Sequence, residues 1–152
     1  MMDTLATNFN ARQAAVRLYW MQSRKGQFVR CLAWLRRQPV LLPHLEVKGD
    51  EHGGHDQHYE GVYAVPLQQI AGTEEQSPGV DGHFYPRGHS MQRWLAIAEA
   101  RLCGRIMPPV ALVCVNNRYY VRDGHHRISV AQALGEAFID AEVVCINARQ
   151  MA

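Results

Sequence analysis

The sequence predicts an α+β domain, a sheet with helices packed on it, preceded by a helical hairpin at the N-terminus. Three observations predict it. From Gly61 onward, extended runs and helical spacing follow each other as strand, helix, strand, strand, helix, strand. Before that point two helical patterns occur in succession, separated from the rest by a polar loop. The chain has 152 residues, 47% of them hydrophobic, which supports one packed unit with an extension rather than two full domains. The expected division is a basic helical extension over 1–45, a His- and Gly-rich loop over 46–60 and the α+β domain over 61–152.

The first helix is expected from about Asn10 to Gly26, capped by Asn8 or Asn10, with Ala14, Leu18 and Met21 on one face. In GQFVRCLAWLRRQP, Phe28, Cys31, Leu32 and Leu35 fall at i, i+3, i+4 and i+7, and Pro39 ends the pattern. Tyr19, Trp20 and Trp34 read as core or packing surface. In the loop VKGDEHGGHDQHYE, His52, His55 and His58 recur beside Asp50, Glu51 and Asp56, an arrangement that offers ligands to a divalent metal. The spacing fits no established metal motif and a flexible loop does not pre-organise ligands, so a solvated loop is the expectation.

GVYAVPL alternates as a strand, and LQQIAG then reads as a brief helical turn. The stretch GTEEQSPGVDGHFYPRGH is loop, with Pro78, Gly79, Asp81, Gly82 and Pro86 all favouring turns. Ser90 caps a helix with Met91, Trp94, Leu95, Ala98 and Leu102 on one face, and Gly104 stops it. PPVALVCV and RYYVRD form a β-hairpin through Asn116 and Asn117, which tolerate positive φ. DGHHR leads into the helix ISVAQAL, closed by Gly135, and FIDAEVVCI is the last strand.

The net charge of +2 hides an asymmetry. Residues 1–45 hold seven basic residues, from Arg12 to Arg37, against the single acid Asp3, while the rest holds nine basic and thirteen acidic ones. Such a basic segment attracts phosphates or an acidic surface, or lies against the acidic body of its own chain. Cys31, Cys103, Cys114 and Cys145 form no C-x-x-C pair and read as buried, reduced thiols. The start MMDTLATNFN has an early acid and no apolar h-region, and the longest apolar run, IMPPVALVCV, is too short and Pro-broken to span a bilayer. A cytoplasmic protein without membrane contact is expected.

The stretch VRDGHHRISVAQALG concentrates the chemistry. A strand ending at Arg122, a turn on Asp123 and Gly124 and a helix starting near His125 leave the first helical N–H groups pointing outward, a place where anions bind. Gly124 lets a ligand approach the backbone without a Cβ in the way, Arg127 adds a bidentate guanidinium and His126 a further donor. His125 and Asp123 add a candidate general base and a magnesium ligand. Without a ligand, Asp123 reads as a helix cap and His125 as part of an ordinary first turn.

Across residues 61 to 145, the phrases GVYAVPLQQI, GHFYPRG, RWLAIAEARLCGRIMPPVALVCVNNRYYVRDGHHRISVAQALG and IDAEV resemble the ParB N-terminal and sulfiredoxin superfamily. The resemblance implies a ParB/sulfiredoxin-like mixed sheet and a loop that binds nucleotide phosphates in members handling ATP, ADP or CTP. Gly124 matches the shared glycine, Arg127 the shared final arginine and His126 the sulfiredoxin histidine, whose implied role is phosphate contact. His125 stands where sulfiredoxins have their reactive cysteine and ParB proteins a glutamate, so sulfinic acid reduction is not expected and a CTP clamp is in question. No helix-turn-helix is expected after residue 145, which argues against a centromere-binding role. The DGHHR form is similar to free-standing ParB-like proteins, which include a nucleotide-dependent serine kinase and proteins labelled ParB-like nucleases.

The leading expectation is a protein that binds a nucleotide or other phosphate ligand through Asp123–Arg127, with Arg93 and Arg87 approaching the same ligand. Magnesium, held mainly by phosphate and water, would take Asp123 as its protein ligand. Phosphoryl transfer or hydrolysis would follow if His125 or Glu60 lined up with an acceptor. A second reading is a DNA- or RNA-binding protein or nuclease whose face from Arg12 to Arg37 tracks the backbone. A third is a non-enzymatic interaction or regulatory module, its helical arm exposing Trp20 and Trp34 to a partner or to a second copy in a homodimer.

Overall fold

The computed structural model describes residues 2–38, 43–45, 57–75 and 79–146, with side chains from residue 9 onward. Its elements are α1 (Met2–Leu35), β1 (Gln57–Pro66), β2 (Ile70–Thr73), α2 (Met91–Leu102), β3 (Val110–Val115), β4 (Arg118–Asp123), α3 (His125–Ala133) and β5 (Phe138–Ile146). The five strands form one mixed sheet in the order β1-β5-β3-β4-β2. β1 runs antiparallel to β5 and β3 antiparallel to β4, while β5 with β3 and β4 with β2 are parallel pairs. This is the expected α+β architecture, with two differences in its elements and one in its N-terminal helices.

β1 begins at Gln57, inside the stretch expected to be loop, so His58 is a strand residue. His52 and His55 lie outside the described residues. The phrase LQQIAG is a helical turn only in its first half, a 3-10 turn at Leu67–Gln69; its second half is β2, a parallel partner of β4. A strand of four residues is too short to show alternation. The hairpin turn at Asn116 and Asn117 is as expected, both residues having positive φ, 51° and 62°.

The expected helical hairpin is instead one helix, α1, continuous through Gly26. Within Met2–Leu35 there is no proline to remove a helical N–H, and a glycine costs only about 1 kcal/mol relative to alanine. Gly26 has a packing reason to be there: a Cβ on it would lie 2.7 Å from Tyr85 Cβ and 2.9 Å from Arg30 Nη1. The glycine admits the 79–87 loop against the helix.

The buried face of α1 is also different from the expected one. Ala11, Ala15, Tyr19, Gln22 and Gly26 line it, whereas Met21, Phe28, Cys31 and Leu35 face outward. Small residues let α1 approach α2 closely, and Ala15 and Tyr19 pack with Trp94, Ala98 and Val130. Tyr19 is therefore core as expected, but Trp20 and Trp34 are exposed. A second core, built on Val65, Val110, Leu112, Val121, Ala141 and Val143 of the sheet, takes Ile128 of α3 and Val80 and Phe84 of the loop. Cys31 is exposed and the other three cysteines are only half-buried, where buried thiols were expected.

Two of the basic residues on α1 meet acids of the body. Arg30 Nη1 lies 2.6 Å from Oδ2 of Asp81, a residue only 1% exposed, and Arg12 lies 3.6 Å from Glu99. Asp81 Oδ1 also accepts the N–H groups of His83 and Tyr85. The loop is thereby folded around one carboxylate that α1 neutralises.

Candidate functional site

α2 and α3 lie side by side in the same direction. Near their starts Trp94 Nε1 donates to Ser129 Oγ at 2.9 Å, and beyond the end of α3 Glu136 forms an ion pair with Arg101 in the last turn of α2. Their positive ends therefore open on the same side, where a cleft of about 660 Å³ is lined by Ser90, Gln92 and Arg93 of one helix start and by Asp123 to Arg127 of the other. Glu75, Gly79, His89 and Ile97 complete its walls.

β4 ends at Asp123, and Gly124 turns the chain with φ 104° and ψ 19°. The carbonyl of Gly124 takes the N–H of Ile128, so the three amides before it have no partner in the helix. Gly124 serves packing as well as the turn: a Cβ would lie 2.5 Å from Val110 Cγ1. The space left open by this glycine is filled by the core, where sequence reasoning expected it to admit a ligand.

Arg127 is held inside the protein. Nη1 donates to the carbonyls of Pro108 and Pro109, each at 2.7 Å, and Nη2 lies 2.5 Å from Asp123 Oδ2. Its side chain is 15% exposed, against 76% for Asp123. The arginine expected to be the main phosphate grip thus fastens the entry of β3 to the start of α3, and Asp123 is its partner. Gly124 is the N-cap residue and offers no side chain to cap this helix start, and Asp123 Oδ2 is engaged by Arg127.

His125 is buried, with both ring nitrogens occupied. Nε2 is 2.6 Å from Thr73 Oγ1 and Nδ1 is 3.2 Å from Glu75 Oε2. Burial, followed by His126, lowers its pKa to about 4, against a smaller opposing effect of Asp123. The ring is neutral at pH 7, so Nδ1–H donates to Glu75 and Nε2 accepts the Thr73 hydroxyl, a hydrogen-bonded relay rather than an ion pair. Thr73 is 2% exposed and does not line the cleft, so the relay orders the end of β2 against α3.

His126 is the neighbouring ring with capacity to spare. Its Nε2 is buried and has no hydrogen-bond partner among the described residues, and it sits where a Cβ on Gly79 would come within 3.0 Å. Burial lowers its pKa, and Arg93 and His89 add to the effect. Arg93 is exposed, lines the cleft and has no ion-pair partner among the described residues. Arg87, the other expected helper, does not line it. Ser90 is the N-cap residue of α2, as expected, but its hydroxyl makes no cap hydrogen bond; Oγ donates to the carbonyls of Gly79 and Arg87 and ties the loop to the helix start.

The structure therefore brings Asp123, Gly124, His125, His126, Arg127 and Arg93 to one cleft and leaves Arg87 and Glu60 outside it. Sequence reasoning missed Glu75, Gly79, His89 and Gln92. His89 had a signal, since it precedes a helix start just as Asp123 does. Among the described residues no group of three or more His, Cys, Asp or Glu side chains is placed to hold a metal ion, and no helix is long and apolar enough to cross a membrane.

Fold and cleft define an α+β domain with a mixed five-stranded sheet and a polar cleft at the paired starts of two helices. No protein-family model and no curated protein matches the chain. Among solved structures, a crystal structure of sulfiredoxin from Arabidopsis thaliana matches with a TM-score of 0.40 and 18% identity, covering 59% of this chain and 91% of that one.

Proposed function

We propose that the cleft between the starts of α2 and α3 binds a phosphate-bearing ligand, with a nucleotide as the leading candidate. The observation that carries the reading is the buried Nε2 of His126, set between two helix starts beside Arg93, neither having a partner among the described residues. A buried polar atom without a partner costs about 1–3 kcal/mol, and a ligand oxygen is the natural group to relieve it. Parallel helix dipoles and free amides favour an anion in the same place.

The reading is one of binding first. His125 and Asp123 both have internal partners, which leaves His126 as the ring able to contact a ligand. Magnesium would arrive on the phosphates, since among the described residues Asp123 and Glu75 are the carboxylates lining the cleft and each already holds a basic side chain. ATP, ADP and CTP share the phosphate chemistry on which this rests.

Titration calorimetry with pyrophosphate and with ADP, each with and without magnesium, tests the reading on the whole chain. Saturable binding is expected, weakened at least about tenfold, or 1.4 kcal/mol, by Arg93→Ala and unchanged by Arg87→Ala. Absence of saturable heat and of any thermal shift with every one of these ligands would remove the proposal.

A further inference from the structure

We propose that the outer face of α1 docks an acidic amphipathic helix from a partner protein. Met21, Phe28 and Leu35 follow one another at seven-residue intervals along α1, and they are 49%, 69% and 72% exposed. Trp20 and Trp34, 54% and 79% exposed, flank the row at the same fourteen-residue spacing as its ends. Residues repeating every seven positions stay on one side of a helix and form the seam that another helix fills. None of these side chains belongs to either face of the domain core, which α1 reaches through Ala15 and Tyr19.

The charge on the face says what kind of helix fits. Arg17 and Arg24 lie within the same stripe, and neither has an ion-pair partner among the described residues. The arginines toward the domain are different: Arg12 meets Glu99 and Arg30 meets Asp81. From Asp3 to Glu46 the sequence offers no acid of its own. Charge complementarity therefore favours an occupant that carries acids opposite Arg17 and Arg24. A second copy of this face would set arginine against arginine. A bilayer would have to accept charges interleaved with the apolar row, whereas interfacial helices keep the two on separate faces.

A synthetic helix of about three heptads, with leucine in the seam and glutamate beside it, is the probe, and its lysine counterpart the control. Trp94 is fully buried, so a blue shift in tryptophan emission on binding reports Trp20 and Trp34. The full chain should bind the glutamate peptide saturably with that shift and leave the lysine peptide unbound. Phe28→Asp with Leu35→Asp should abolish binding. Arg17→Glu with Arg24→Glu should weaken it at least about tenfold and transfer preference to the lysine peptide. All four positions are exposed, and unchanged far-ultraviolet circular dichroism checks that the variants fold. The inference is overturned by no binding of the glutamate peptide, by equal binding of both peptides, or by tighter binding of anionic vesicles or a single-stranded oligonucleotide to the same residues. A dimer in light scattering that dissociates in the Phe28→Asp, Leu35→Asp variant would assign the face to self-association and overturn it too.

Discussion

His125 Nε2 lies 2.6 Å from the Thr73 hydroxyl, joining the first turn of α3 to the last residue of β2. Folding keeps this ring neutral with a pKa near 4, whereas the unfolded chain protonates it near 6.5. Between those values the unfolded chain binds more protons, so the stabilisation is fully present above about pH 6.5 and is lost as the pH falls toward 4. The swing is about 3 kcal/mol. Urea unfolding followed from neutral to acid pH should show this loss. His125→Asn should be less stable at neutral pH and should lose much less on acidification.

The contact between Arg30 and Asp81 yields a second prediction. Arg30→Ala leaves a carboxylate whose side chain is fully buried with only amide N–H groups to hold its charge. A loss of about 2 kcal/mol is expected, the usual cost of removing a charged hydrogen-bond partner. Asp81→Asn together with Arg30→Ala should recover part of that loss, because the uncompensated charge is gone. Chemical denaturation of the four proteins gives the coupling directly.

At Gly124, alanine meets two obstacles, a φ of 104° and Val110 Cγ1 at 2.5 Å from the new Cβ. Gly124→Ala should cost at least about 2 kcal/mol. Val110→Ala, itself destabilising, should remove the steric part but leave the backbone strain, so the double variant should be less damaged than the sum of the two. Full additivity in denaturation experiments would mean that the loop opens away from the core.

How far the sequence reaches is clearest at these same residues. The hairpin turn at Asn116 and Asn117, the α2 face through Trp94 and Ala98 and the turn at Asp123 and Gly124 were legible because local chemistry alone requires them. The continuity of α1 was not, since Gly26 reads as a stop unless one knows that Tyr85 needs its space. Nor was the buried side of α1. Close helix packing uses Ala11 and Ala15, which carry little hydrophobic signal, while the strong signal from Phe28 and Leu35 belongs to the exposed face. In the cleft, DGHHR placed the helix start correctly but could not say which cation is free. That depends on the Pro108 and Pro109 carbonyls, which precede Arg127 by nearly twenty residues and reach it only through the fold.

The last prediction separates the two arginines of the cleft. Arg127 holds two backbone carbonyls and Asp123, so its loss should be felt in the folded state itself: Arg127→Ala should lower stability by about 2 kcal/mol and loosen the entry of β3. Anion affinity should then fall only as far as the loop loses its shape. Arg93 is exposed and has no internal partner among the described residues, so Arg93→Ala should leave stability within about 0.5 kcal/mol while reducing pyrophosphate binding at least tenfold. Denaturation and calorimetry on the same two variants decide the matter. A stable Arg127→Ala protein that no longer binds anion would exchange the roles, making Arg127 the ligand-facing guanidinium and its contacts to Pro108, Pro109 and Asp123 the ones that yield when ligand arrives.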